Sequence, residues 1–171
     1  MLTGENIKLR ALEPSDLDVL YRWENDTDIW KVSQTITPFS KNILSKYLEN
    51  AHQDIFTAKQ LRLMIEKDGE ALGTIELFDF DPINLRCGVG IWIVDKENRR
   101  KGYAREALSL IINYAFKSLH LNQMYCNISS HNQASINLFS SLDFQLVGQK
   151  AKWNKTATGW EDEFLFQLLC E

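Results

Sequence analysis

Arg99-Arg100-Lys101-Gly102-Tyr103-Ala104 is a compact set of residues suited to holding a phosphate. Three cations stand in a row, and the planar fork of an arginine matches the oxygens of a phosphate group. Gly102 lets an anion approach the backbone closely. If a helix opens here, its first-turn N–H groups have no intrahelical partners and carry the positive end of the macrodipole. A short basic run on its own is usually a solvated loop, so its setting decides. Two other phosphate loops are excluded, because neither G-x-x-x-x-G-K followed by Ser or Thr nor G-x-G-x-x-G occurs in the chain.

The setting is strand, loop, helix. Val89-Gly90-Ile91-Trp92-Ile93-Val94 is continuously apolar, as expected of a strand covered on both faces. After the loop, Ala104, Ala107, Leu108, Ile111, Ile112, Ala115 and Phe116 recur at helical spacing, with Arg105, Glu106, Asn113 and Lys117 turned away. A second strand, Gln123 to Ile128, leads into Asn132-Gln133-Ala134-Ser135, where Asn132 is placed to cap a helix three residues before Ser135. Glu76 is a lone carboxylate in the apolar run Gly73 to Phe80. It is either an exposed strand carboxylate or a base facing a site.

The remaining elements follow from period and turn chemistry. Ile7, Leu9 and Ala11 alternate with Lys8 and Arg10 as a half-buried strand, and Ser15 is the expected cap of a helix running to Trp23 or Glu24. A polar interval, 25–37, precedes a helix from about Lys41 to Gln53, capped by Ser40, with Ile43, Leu44, Tyr47 and Leu48 inward. Arg62 to Glu66 and Ala71 to Phe80 form a hairpin around Asp68-Gly69, and a turn at 81–84 leads to the strand that ends at Val94. Lys150 to Trp153 and Glu163 to Leu169 close the chain as a hairpin around 156–159.

Composition narrows the function classes. A chain of 171 residues fits a single domain over 1–171, large enough to bury a core without disulfides. Cys87, Cys126 and Cys170 show no metal-ligand spacing, so no metal is expected and reduced thiols point to the cytoplasm. A net charge of −4 argues against general nucleic-acid binding, and no run is apolar enough to span a membrane. The acidic balance also favours cationic substrates. Glu24, Asp26 and Asp28 beside Trp23 and Trp30 offer charge and aromatic faces to a cation, or else form a solvated acidic loop.

Two of these segments carry a family resemblance. Arg99, Gly102 and Ala104 fit the pyrophosphate loop of the GNAT superfamily of acetyl-CoA-dependent N-acetyltransferases: Arg or Gln, two residues, Gly, one residue, then Gly or Ala. Asn132 to Phe144 is similar to that superfamily's second motif, N-x-x-(S/A)-x-x-L-(Y/F)-x-x-x-G-F, with Asp143 in place of the glycine. The element order β-α-α-β-β-β-α-β-α-β-β extends the resemblance over nearly the whole chain. Within the superfamily, 7–16, 73–77 and 159–163 look most like the Rim-type ribosomal-protein acetyltransferases. Spermidine N-acetyltransferases are nearly as similar, particularly at Glu76-Leu77 and 119–122.

The resemblance implies an α/β fold whose central mixed sheet splays between its fourth and fifth strands. It implies acetyl-CoA as the acetyl donor, with its pantetheine along Ile93 and Val94, its pyrophosphate on Arg99, Arg100, Lys101, Gly102, Tyr103 and Ala104, and further contacts from Asn132, Ser135 and Phe139. Glu76 is implied as the base that deprotonates an acceptor amine, and backbone N–H near Val94 as the oxyanion donor. Phe139 stands where many members carry a tyrosine that protonates the departing thiol, which leaves Ser135 or Tyr103 as the substitute acid. The Rim-type pairing of a serine with a late-hairpin glutamate meets Lys152 or Trp153 here. The implied partner is an acceptor amine, with neither nucleic acid nor membrane, and a homodimer is one assembly open to the chain. The alternative is a module that binds acetyl-CoA without effective catalysis.

Overall fold

The computed structural model describes residues 1–33 and 35–170. Alternating apolar residues lay down an eight-stranded sheet in the order β1-β2-β3-β4-β5-β6-β8-β7. Its strands are β1 (Leu2–Thr3), β2 (Lys8–Ala11), β3 (Leu61–Lys67), β4 (Glu70–Asp81), β5 (Arg86–Ile93), β6 (Gln123–Ser129), β7 (Gln145–Thr156) and β8 (Gly159–Leu169). All neighbours are antiparallel except β5 and β6. The helices are α1 (Leu17–Glu24), α2 (Thr27–Ser33), α3 (Lys41–Glu49), α4 (Ile55–Ala58), α5 (Tyr103–Lys117) and α6 (Gln133–Ser140). The two-residue β1, and α2 and α4, add to the expected order. The predicted fourth and fifth strands are therefore β5 and β6.

The two sheet faces are covered by different helices, as the period of two in β3 requires. Leu63 and Ile65 join the core beneath α5, with Ile75, Val89, Met124, Leu108 and Ile111. Met64, between them, faces the other way and packs with Leu20, Trp23 and Leu48 of α1 and α3. Trp92 meets Trp23 edge-on there, with ring centroids 6.2 Å apart.

Local differences from the sequence reading have local causes. Ser15 does not cap α1: Glu13 and Asp16 cap each other across a 3-10 turn at Pro14–Asp16, and α1 continues from it. Ser40 does cap α3, its hydroxyl accepting from the Ile43 N–H at 3.2 Å. That helix stops at Glu49, where the Asn50 side chain takes the Lys46 carbonyl, and Ile43 points to solvent. Glu106 is not simply turned away. Its carboxylate accepts from the backbone N–H and side chain of Asn6, tying α5 to the chain's start.

Candidate active site at the splayed strands

The site is built from a pairing that stops. β5 and β6 pair only over Arg86–Gly88 and Gln123–Tyr125. Beyond that, β5 runs on to Ile93 and β6 to Ser129 with no bond between them, while both keep their outer partners β4 and β8. The expectation that β5 is covered on both faces holds at Val89 and Ile93, which are buried. It fails from Gly90 to Trp92, which stay half-exposed because the neighbouring strand has moved away.

Antiparallel pairing with β4 decides which backbone groups face the splay. The Val94 N–H donates to the Leu72 carbonyl at 3.0 Å, and a Cβ on Gly73 would lie 1.9 Å from the Trp92 oxygen, so the Val94 N–H and the Trp92 carbonyl turn toward β4. By alternation, Ile91 and Ile93 turn theirs toward β6. The resemblance implied an oxyanion donor near Val94; the Val94 N–H itself is used within the sheet. The wedge-facing N–H groups belong to Ile91 and Ile93.

The basic loop is folded by its own arginine. Arg99 donates from Nε to the Ile93 carbonyl at 3.0 Å and from Nη2 to the Val94 carbonyl at 2.9 Å, so its guanidinium closes the strand end. Arg100 and Gly102 adopt left-handed backbone, at φ 62° and 86°. A left-handed residue followed by the first residue of a helix curls successive N–H groups around one point, which is an anion nest. The first backbone bond at this helix end is Glu106 N–H to the Gly102 carbonyl, so the N–H groups of 102–105 precede the helical ladder. Arg100 and Lys101 are exposed beside them, and Lys101 borders a groove of about 590 Å³ running to Glu5 and Asn6. Tyr103 lies under Lys67, with Nζ 5.9 Å from its ring centroid, at the outer end of the splay.

Across the wedge, Asn132 caps α6 by accepting from the Ser135 N–H at 3.1 Å, and Ser135 is half-buried. Phe139 is buried edge-on against Phe144, with centroids 5.0 Å apart. Tyr103 and Ser135 thus stand on different elements, at the start of α5 and on α6.

On the α1–α3 side of the sheet, Glu76 is the centre of a polar network. Its Oε2 accepts from Gln60 Nε2 at 3.0 Å and from Arg62 Nε at 3.2 Å. Arg62, its cross-strand partner, also donates from Nη1 to Glu24 Oε1 at 2.7 Å. Burial alone would lower the Arg62 guanidinium, but the Glu76 and Glu24 carboxylates, with Tyr47, raise it. Burial likewise pushes the Tyr47 phenol up. Glu76 Oε1 faces Gly90, where an added Cβ would lie 3.5 Å from it. Gly90 belongs to the unpaired stretch of β5, so this oxygen overlooks the splay. The proposed cation cage does not assemble. Glu24 is held by Arg62, Asp26 caps the Asp28 N–H, and Trp23 is buried.

The opposite wall holds a group that the sequence reading missed. Lys150 reaches over β8 to Asn127 Oδ1 at 2.9 Å and Glu163 Oε1 at 2.8 Å, and Asn154 donates to the other Glu163 oxygen at 3.1 Å. Glu163 is buried beside Ser129 at the end of β6. Glu163 is the buried carboxylate of this hairpin, held by Lys150 and Asn154, while Lys152 and Trp153 lie in a bulge. Among the described residues, no group of three His, Cys, Asp or Glu side chains is arranged to hold a metal.

Residues 6–145 match the acetyltransferase (GNAT) domain family. The chain is 29% identical over 171 residues to an uncharacterized N-acetyltransferase, p20, of Bacillus licheniformis, covering 98% of this chain and 95% of that one. It is 27% identical to the spermidine N(1)-acetyltransferase of Escherichia coli K12, over 87% of this chain and 78% of the relative. The crystal structure of spermidine N-acetyltransferase from Vibrio cholerae in complex with CoA and spermine superposes with a TM-score of 0.87 at 22% identity, covering 97% and 96% of the two chains. With a splayed parallel pair, a nest of backbone donors at its mouth and a family match across most of its length, the chain belongs to the GNAT acetyltransferases.

Proposed function

We propose that this protein transfers acetyl from acetyl-CoA directly to a primary amine, with a polyamine as the preferred acceptor class and a protein N-terminus as the second. The observation that carries this reading is Glu76: one carboxylate oxygen is anchored by Arg62 and Gln60, and the other overlooks the unpaired stretch of β5. A primary ammonium has a pKa near ~10.4, so a base beside it contributes on the order of 10²–10⁴-fold. The 102–105 N–H groups with Arg100 and Lys101 suit a pyrophosphate, and the edge of β5 suits the amides of pantetheine. Asn132 and Ser135 border the same arm, and Phe139 backs it from the core.

Glu76 Oε1 takes the ammonium proton, and the freed nitrogen attacks the thioester carbonyl. The Ile91 and Ile93 N–H groups are the donors for the oxygen as it gains charge. The thiol departs as a thiolate, tolerable at its pKa near ~8.5, with the second proton of the attacking nitrogen passing to solvent, or that proton reaches the sulfur through the Ser135 hydroxyl, which gives its own proton and takes the one the nitrogen sheds. An acetyl-cysteine intermediate on Cys87 or Cys126 is disfavoured, because both lie in the core, where burial pushes the Cys87 thiol up to about 12 and the Cys126 thiol higher still.

Phe139, with no proton to give, favours a second reading, in which acetyl-CoA is bound but turned over slowly. Thiol release measured across spermidine, spermine, simple monoamines and N-terminal peptides separates the two. Polyamine-dependent release that disappears in Glu76→Gln supports the enzyme. A thermal midpoint raised by acetyl-CoA, with no release from any amine, supports the module.

A further inference from the structure

Glu76 does not stand alone: its anchored oxygen is part of a chain that runs from α1 through β3 to β4. Arg62 spans both carboxylates, giving Nη1 to Glu24 and Nε to Glu76, and its side chain is only 21% exposed. The groups facing Glu76 are Glu24 at the end of α1, Tyr47 on α3, Arg62 and Gln60 at β3, and Gly90 on β5, which has no side chain. The Arg62 guanidinium carbon lies 6.0 Å from the Tyr47 ring centroid, closing the network from above. We infer that Arg62 is a positioning residue for acetyl transfer: bridging Glu24 and Glu76, it holds one Glu76 oxygen and so fixes which oxygen faces the wedge. This rests on the reading of Glu76 as the base.

The two neighbours act in opposite directions. Arg62 favours the charged form of the carboxylate that it touches, so its loss moves the acid limb of the pH–rate profile upward. Glu24 shares the field of Arg62 and adds a like charge nearby, so its loss moves that limb downward. A residue that merely held the fold together would lower the rate across the profile without moving the limb, and no loss of packing produces shifts of opposite sign.

The experiment is the pH profile of kcat/KM, measured by thiol release with spermidine, for the full chain and four variants. Arg62→Met is expected to move the acid limb up by about one pH unit or more, in the range that a close opposite charge exerts. Glu24→Gln is expected to move it down by roughly half a unit. Arg62→Lys is expected to return the limb toward the parent position at reduced rate, because the charge is kept and the two-carboxylate fork is lost. Glu76→Gln is expected to abolish the limb. If Glu76→Gln removes the limb while Glu24→Gln and Arg62→Met leave it in place, the Arg62 inference is overturned and Glu76 stands as the base. If Glu76→Gln keeps the parent limb, both fall. Should Arg62→Met fail to fold, the direction of the Glu24→Gln shift decides alone: downward supports the inference, and upward or no shift overturns it.

Discussion

Arg99 closes on the strand that precedes it, its Nε 3.0 Å from the Ile93 carbonyl. A loop that resembles a cluster of phosphate ligands is thus partly self-supporting: one arginine shapes the backbone, and its neighbours face outward. Arg99→Ala is expected to weaken acetyl-CoA binding about tenfold to a hundredfold, the scale of losing charge-assisted hydrogen bonds. Because that loss acts through loop shape, it persists in 0.5 M salt. Lys101→Ala removes an exposed charge, so its smaller loss shrinks as salt screens it. Calorimetric titration at two ionic strengths tests this, and a loss in Arg99→Ala that vanishes with salt contradicts the structural role.

Gly88 and Gly90 sit two residues apart on one face of β5 and do different things. A Cβ at Gly88 would lie 2.3 Å from the Phe78 ring, so Gly88→Ala forces that ring to move and costs about 1–3 kcal/mol of stability. A Cβ at Gly90 meets Glu76 only at ordinary contact distance, so Gly90→Ala folds with near-parent stability. Its methyl stands in front of Oε1, and turnover is expected to fall about tenfold or more while acetyl-CoA binding is kept. Urea unfolding and thiol release on both variants separate the effects, and full turnover in Gly90→Ala would show that the space before Oε1 is not used.

Asp143 occupies the position of a motif glycine and shows why glycine is usual there. Its φ is 65°, left-handed backbone that glycine adopts freely and other residues adopt at some cost. Asp143→Gly is expected to gain up to about 1 kcal/mol and raise the thermal midpoint by roughly 2–4 °C. A lowered midpoint would mean that the Asp143 side chain contributes more than its backbone costs.

Much of this was legible from residue types and spacing. Helical period located α5, Asp68-Gly69 located the β3–β4 turn, and Asn132 announced the start of α6. What escaped depended on register and on backbone direction. Counting back from the last hairpin's turn, as the pairing of Asn154 with Glu161 implies, an unbroken register sets Lys152 against Glu163. The bulge between Lys150 and Asn154 instead brings Lys150 opposite Glu163, and no residue type in the stretch signals it. Likewise, nothing in a run of apolar side chains tells that the Val94 N–H faces β4 while those of Ile91 and Ile93 face the wedge. The Arg62 bridge joins residues far apart in the chain and became visible only with the β3–β4 register.

Both ends of α1 are fastened by arginine to carboxylate, which links acid stability to the site. At its start, Asp16 accepts from Arg10 Nη1 and Nη2 at 2.7 and 2.8 Å and from the Glu13 N–H at 2.8 Å. Burial alone would raise that carboxyl, but Arg10 and the Glu13 N–H outweigh it and hold it below the usual 3.8. Glu66, bound by Lys8 and Arg10, is likewise held below 4.5. Groups lowered by folding add stability that is full above their ordinary range and is lost as pH falls through the folded values. This cluster's contribution is therefore level from pH 7 to about 5 and declines below about 4.5. Asp16→Asn is expected to be less stable than the parent at pH 7, with the gap narrowing toward pH 3. Urea unfolding at pH 7, 5 and 3 measures the gap, and one that stays constant would assign the loss to packing. Since α1 ends at Glu24, release of its start in acid is also expected to loosen the Glu24–Arg62–Glu76 chain, so the acid fall in turnover should be steeper in Asp16→Asn than in the parent.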